Sequence, residues 1–207
     1  MNEVAKRRQS FKDDLTNSYK MTRVLGIDCG SANMAFCIYD SGASTSGSGS
    51  QSEQDVPPSP IVQWRVTNIV GVGRNAKYFK ITDILDFLHG LDNEGFLDAS
   101  VIDEVIIEKQ PAMNKKMQIV EAVLMTYFLL REDIPVKTFS PKEKLKGEKI
   151  SDYRQRKKRS IEKIREYLVD KPEWSRFFES HPKKDDLSDA LLMCIAYANA
   201  CGAASSK

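Results

Sequence analysis

Four acidic residues stand where a carboxylate is costly to place. Asp28 closes the apolar run VLGID, Glu108 closes VIDEVIIE, and Asp186 and Asp189 open DDLSDALLMCIAYA. A carboxylate beside a long apolar run is expensive to bury unless it is paired or binds a cation. Asp186 and Asp189 are three apart at a helix start, so they share one face. Each acid also has a bland explanation: Asp28 as a turn residue, Glu108 as an edge ion pair, and the two aspartates as complements to a helix dipole. Together they form a cluster that repels itself unless a metal ion is present. Oxygen ligands without His or Cys suit Mg²⁺ or Mn²⁺. Two such ions can activate a water and stabilise the leaving oxygen of a phosphodiester.

The elements that must position these acids can be read in order. Val24, Leu25 and Ile27 form one strand, and Ala35, Phe36, Ile38 and Tyr39 form the next, with turn-forming Gly30, Ser31 and Asn33 between them. Residues 41–60 are Gly/Ser-rich and end in prolines, with too few apolar groups to pack. They read as a disordered insertion at a hairpin tip, because a lone hairpin before them is not stable by itself. Residues 61–70 give a third strand, completing an antiparallel meander. Helical period appears over 77–89, a strand over 101–108 with a continuously apolar stretch at Val105, Ile106 and Ile107, and an amphipathic helix over 113–130. A fifth strand spans 134–139 and is stopped by Ser140-Pro141. Residues 142–152 read as a polar, mobile loop, 153–169 as a helix, 170–182 as a connection, and 185–200 as a buried helix. The expected fold class is α/β: a five-stranded mixed sheet, three antiparallel strands and then parallel ones, flanked by helices.

Bulk properties narrow the classes. The 207 residues suffice for one packed domain, and 41% apolar content is ordinary. The apolar runs fall short of the roughly 20 residues that cross a bilayer, so no membrane is expected. Net charge is only +2, but Lys and Arg crowd into residues 142–165. Cys29, Cys37, Cys194 and Cys201 form no CxxC pair, and His89 and His181 have no zinc-ligand spacing to them. Free thiols in an intracellular, reducing compartment follow. Residues 1–20 are polar and mixed in charge. They read as an N-terminal extension outside a folded unit at 21–200, with 201–207 as a tail.

GIDCGSAN, IIEKQ and DDLSDALL, with EKQPAMNKKM and KKRSIE, resemble the RNase H-like, RuvC-type Holliday junction resolvases. The likeness is nearest to the branch found in poxviruses, other large DNA viruses and fungal mitochondria, and covers residues 21–200. The resemblance implies an RNase H-like fold and a Mg²⁺-dependent (or Mn²⁺-dependent) endonuclease that resolves four-way DNA junctions by paired symmetric nicks. It implies Asp28, Glu108, Asp186 and Asp189 as the catalytic, metal-binding acids, with two ions per site and Asp185 as a substitute for its neighbour Asp186. It also implies a homodimer; the apolar residues Ala122, Met125 and Leu129 give the 113–130 helix a second face that could meet a partner or cover the sheet. The setting is viral (host cytoplasm) or organellar. The insertion at 41–60 and the long N-terminal segment depart from the family's pattern.

With branched DNA as partner, the basic residues gain a reading. Lys115, Lys116, Lys142, Lys157, Lys158, Arg159 and Lys184 are candidate phosphate contacts, as are Lys144, Lys146 and Lys149 in the loop after the fifth strand; Gln110 and Asn114 are candidate strand or base contacts. A solvated face explains many of these equally well. Three other readings stay open. The Asp28–Gly30 turn also resembles the first phosphate loop of actin-like kinases, although one domain is too few for that fold. Another RNase H-fold nuclease, cutting RNA–DNA hybrids or flaps, would use the same acids. An inactive DNA-binding module would not need them.

Overall fold

The computed structural model describes residues 23–42, 59–70, 75, 78–98, 101–131 and 134–205. The N-terminal extension and most of the Gly/Ser insertion lie outside the described residues. The strands are β1 (Arg23–Asp28), β2 (Met34–Asp40), β3 (Ile61–Thr67), β4 (Glu104–Glu108) and β5 (Val136–Phe139). The helices are α1 (Ile81–Asn93), α2 (Lys115–Leu129), α3 (Tyr153–Tyr167), α4 (Pro172–Ser180) and α5 (Lys184–Ser205), with a 3₁₀ turn at Pro141–Glu143.

The sheet order is β3-β2-β1-β4-β5. The first three strands pair antiparallel, and β4 and β5 join β1 in parallel. This is the mixed sheet expected from the sequence, and it is the RNase H-like fold. Tyr39 stands opposite Ile61, so the insertion does join the two strands of a hairpin.

Strand alternation assigns each side chain to a face. Leu25 and Ile27 of β1 and Val105 and Ile107 of β4 pack with Ile84, Leu88, Val120, Leu124 and Phe128 beneath α1 and α2. The opposite face carries Ala35, Cys37 and Trp64, covered by Leu187, Ala190, Leu191 and Cys194 of α5 and by Ile164 of α3. Asp28 is in phase with Val24 and Gly26, and Glu108 with Ile106, so both acids belong to the α5 face. Gly26 lets α5 come close: a Cβ there would lie 2.5 Å from Cys194 Sγ and 3.1 Å from the Ala190 carbonyl oxygen.

Two segments differ from the sequence expectation. The stretch read as a connection contains α4. Trp174, Phe177 and Phe178 have helical spacing, Pro172 fits the first turn of a helix, and Phe178 stacks on Trp64 with ring centroids 5.4 Å apart. The loop read as mobile instead has Lys144 buried, held by opposite charge as described below. In addition, α5 continues beyond Ala200 to Ser205, through part of the expected tail.

Candidate active site

Asp28 and Glu108 close two adjacent parallel strands, with Ile27 and Ile107 paired just before them. The chain leaves β5, the other neighbour of β4, through Ser140 and the 3₁₀ turn, and this delivers Lys144 beside Glu108. Helix α5 supplies Asp189 from above. Its first turns are anchored by Trp64, whose indole Nε1 donates to the Leu187 carbonyl at 3.0 Å.

These side chains converge on one ammonium. Lys144 Nζ lies 2.6 Å from Glu108 Oε1, 3.4 Å from Asp189 Oδ1 and 3.7 Å from Asp28 Oδ1. The lysine side chain is only 6% exposed. Gln110 is buried as well, and its Nε2 donates to Glu108 Oε2 at 3.2 Å while its backbone N–H donates to Glu121 Oε2 at 2.8 Å.

The electrostatics are divided among the acids. Burial pushes the Asp28 carboxyl well above the usual range, and the neighbouring Glu108 adds to this against the pull of Lys144. Burial also opposes ionisation of Glu108, but Lys144 and the hydrogen bonds from Asp28, Lys144 and Gln110 hold it below the usual range. The two strand-end acids are thus shifted in opposite directions, Asp28 upward and Glu108 downward. Burial raises Asp189 against the pull of Lys144. Burial lowers the affinity of Lys144 for its proton, but the charges of Asp28, Asp189 and Glu108 outweigh that and raise it.

Asp186 sits one turn before Asp189, and burial followed by the charge of Asp185 raises it to about 6. Asp185 is different. Burial works against its ionisation, but Lys157 bonds to it and holds it below the usual range. The structure thus brings Asp28, Glu108 and Asp189 onto Lys144, keeps Asp186 close by, and ties Asp185 to Lys157. Among the described residues, no group of three or more His, Cys, Asp and Glu side chains is spaced to hold a metal ion directly. The donor set is nonetheless all oxygen, which is the chemistry a hard divalent cation takes.

The candidate DNA contacts separate by environment. Lys115, Lys142 and Lys158 are exposed, and the Lys116 ammonium lies over the Phe79 ring at 4.5 Å. Asn114 caps α2 by accepting from the Met117 N–H at 3.3 Å. Arg159 bonds Glu148 and Glu166, each at 2.9 Å. Lys184 donates to the His181 carbonyl at 3.0 Å. Gln110 is turned toward Glu108. In the sequence Lys144 looks like its loop neighbours: the alternation of Lys142, Lys144 and Lys146 carries no sign that only the middle one turns inward.

Fold and site together define an RNase H-like protein with clustered carboxylates at the ends of its central strands. The chain belongs to the poxvirus A22 protein family, whose pattern matches residues 67–200. No curated protein sequence matches the chain. Among solved structures it is similar to the fowlpox virus resolvase in complex with Holliday junction DNA, at 15% identity and a TM-score of 0.57, over 87% of this chain and 99% of that one. It is also similar to the yeast mitochondrial Holliday junction resolvase Ydc2, at 18% identity and a TM-score of 0.57, over 88% of this chain and 82% of that one. The resemblance to the poxviral and fungal mitochondrial branch is therefore borne out. Among the described residues, no helix is long and apolar enough to cross a membrane.

Proposed function

We propose that this chain is a structure-selective endonuclease that resolves four-way DNA junctions by paired, symmetric nicks in phosphodiester bonds. The observation that carries this reading is the meeting of Asp28, Glu108 and Asp189 around Lys144 at the ends of adjacent parallel strands. Solved proteins of the same fold are resolvases, one of them bound to junction DNA.

Asp28, Glu108, Asp186 and Asp189 would hold Mg²⁺ or Mn²⁺, with two ions fitting the number of acids. When bound, the metal would supply the positive charge that activates water and stabilises the leaving oxygen. The protein's own groups do the preparation. Gln110 fixes the orientation of Glu108. Asp28 would act as a ligand in its ionised form, which burial opposes. Lys144 keeps the carboxylates together and presents a cation next to the scissile phosphate. Lys115, Lys116, Lys142, Lys157, Lys158, Arg159 and Lys184 would serve as phosphate contacts, and Asn114 as a strand contact.

Paired nicks on two like strands require two sites, so the reading includes a two-fold dimer. Of the face expected from the sequence, Ala122 and Leu129 are exposed, whereas Met125 packs against the core beneath α1 and α2; Ile119, 46% exposed, joins Leu129 as apolar surface open to a partner. Light scattering of the free protein and of its junction complex tests it. A single chain per junction making paired nicks would refute the dimer.

The test of function is a cleavage assay with four-way junctions, RNA–DNA hybrids and flaps, with Mg²⁺ added or chelated. The expected result is metal-dependent, symmetric cutting of junctions, lost in Asp28→Asn while junction binding remains. Preferential cutting of hybrids or flaps would replace this reading with that of another RNase H-fold nuclease.

A further inference from the structure

Tyr153 is the first residue of α3 and is 61% exposed. It belongs to none of the buried apolar clusters. Among the described Phe, Tyr and Trp side chains, Tyr153 and Tyr78 are the ones left exposed, and Tyr153 is the one linked to the acids. The Lys157 ammonium lies 5.3 Å from its ring centroid, and the same ammonium bonds Asp185, the neighbour of Asp186. The start of the helix is fixed by Asp152, whose side chain accepts from the Gln155 N–H at 2.8 Å. Arg156, three residues on, is exposed on the same side of the helix as Tyr153, and Arg154 and Lys158 add exposed positive charge to the same first turns.

An exposed tyrosine alone is ordinary. An open ring held by a cation, within a basic helix start, beside the proposed cutting site is a different arrangement. A four-way junction interrupts base stacking at its crossover, so base faces are open there. Stacking of an aromatic ring on such a face tolerates any sequence, and the basic neighbours track the backbone.

We propose that Tyr153 is a stacking platform for a base at the branch point, selecting branched over linear DNA and placing the adjoining phosphodiester near Asp186 and Asp189. This rests on the junction reading above. The ring touches a base rather than the reacting phosphate, so its loss should raise KM more than it lowers kcat.

The test uses the full chain carrying Asp28→Asn, with a four-way junction bearing 2-aminopurine at the crossover and a linear duplex of the same sequence. The expected result is 2-aminopurine quenching with Tyr153 and with Tyr153→Phe, and none with Tyr153→Ala. The alanine variant should bind the junction about 5- to 150-fold more weakly, the range given by loss of one base–aromatic stack. Its duplex affinity and melting temperature should stay unchanged. Unaltered quenching and affinity in Tyr153→Ala would overturn the proposal, and so would equal weakening on junction and duplex. If the Tyr153-containing protein itself showed no preference for junctions over duplex, the junction reading would fall first.

Discussion

Lys144 Nζ lies 2.6 Å from Glu108 Oε1, with 6% of the lysine side chain exposed. The contact joins the turn after β5 to the end of β4 and places one positive charge among three acids. Without it, Glu108 and Asp189 would face each other half-buried, with only Lys157 still pulling on Asp189. The lysine is therefore as much a part of the cluster as the carboxylates.

Removing that charge should be costly. Truncating one partner of a buried ion pair typically costs about 3–5 kcal/mol, and Lys144→Met is expected in that range at neutral pH. The sign follows from the raised affinity of Lys144 for its proton. Its stabilisation is complete below the ordinary lysine value of 10.5 and is lost only as pH rises through the higher folded value. The variant should recover part of its stability in acid, as Asp28 and Asp189 take up protons. Urea denaturation at neutral and mildly acidic pH checks this; equal stability of variant and parent at neutral pH would count against the counter-ion role.

The acids were legible because each borders an apolar run; that Asp28 and Glu108 share a face follows only from the observed register of β1 and β4. Lys144 was not legible. Its sequence neighbours Lys142 and Lys146 are exposed, and only the path from β5 past the 3₁₀ turn distinguishes it. Gln110 was readable as a residue near the site, but its side chain serves Glu108. Helix α4 was missed because its aromatic spacing is short and its reason for forming lies far away, at Trp64.

Asp186 predicts a pH dependence of stability. Its carboxyl is raised from 3.8 to about 6 by burial and by Asp185. Between those values the folded chain holds a proton that the unfolded chain does not. The stability tied to that proton is complete below the unfolded value and is lost as pH rises through the folded one. Asp186→Asn should therefore be more stable than the parent near neutral pH, by about 1–2 kcal/mol after solvent screening is allowed for. The advantage should vanish toward pH 4, where the parent is protonated as well. Parallel denaturation curves for the two proteins across this window would disprove the assignment.

Gln110 separates a positioning role from a DNA-contact role. Gln110→Leu keeps similar bulk but removes the hydrogen bond to Glu108 Oε2. Loss of a group that orients a metal ligand typically costs about 10–100-fold in activity or metal affinity. Junction affinity should stay at the parent level, because the side chain is buried against Glu108. If junction Kd weakened while metal affinity held, Gln110 would be a DNA contact after all.

Gly26 sets the distance between α5 and the sheet, and with it the reach of Asp189 toward Lys144. In Gly26→Ala the new Cβ would stand 2.5 Å from Cys194 Sγ and 3.1 Å from the Ala190 carbonyl. The sulfur is packed near the Val24 and Cys37 carbonyls, so it has little room to turn away. The helix must then shift outward, and overpacking of this kind costs about 1–3 kcal/mol. Cleavage should fall further than stability, because Asp189 moves with the helix while Asp28 and Glu108 stay on their strands. Cys194→Ala opens the site of the worst clash, so the double variant Gly26→Ala/Cys194→Ala should be more stable than additivity predicts. The Ala190 carbonyl remains close, so full activity should not return. A thermodynamic cycle over the four proteins, read by denaturation and junction cleavage, measures both effects; strict additivity would show that the helix–strand approach at Gly26 is not set by Cys194.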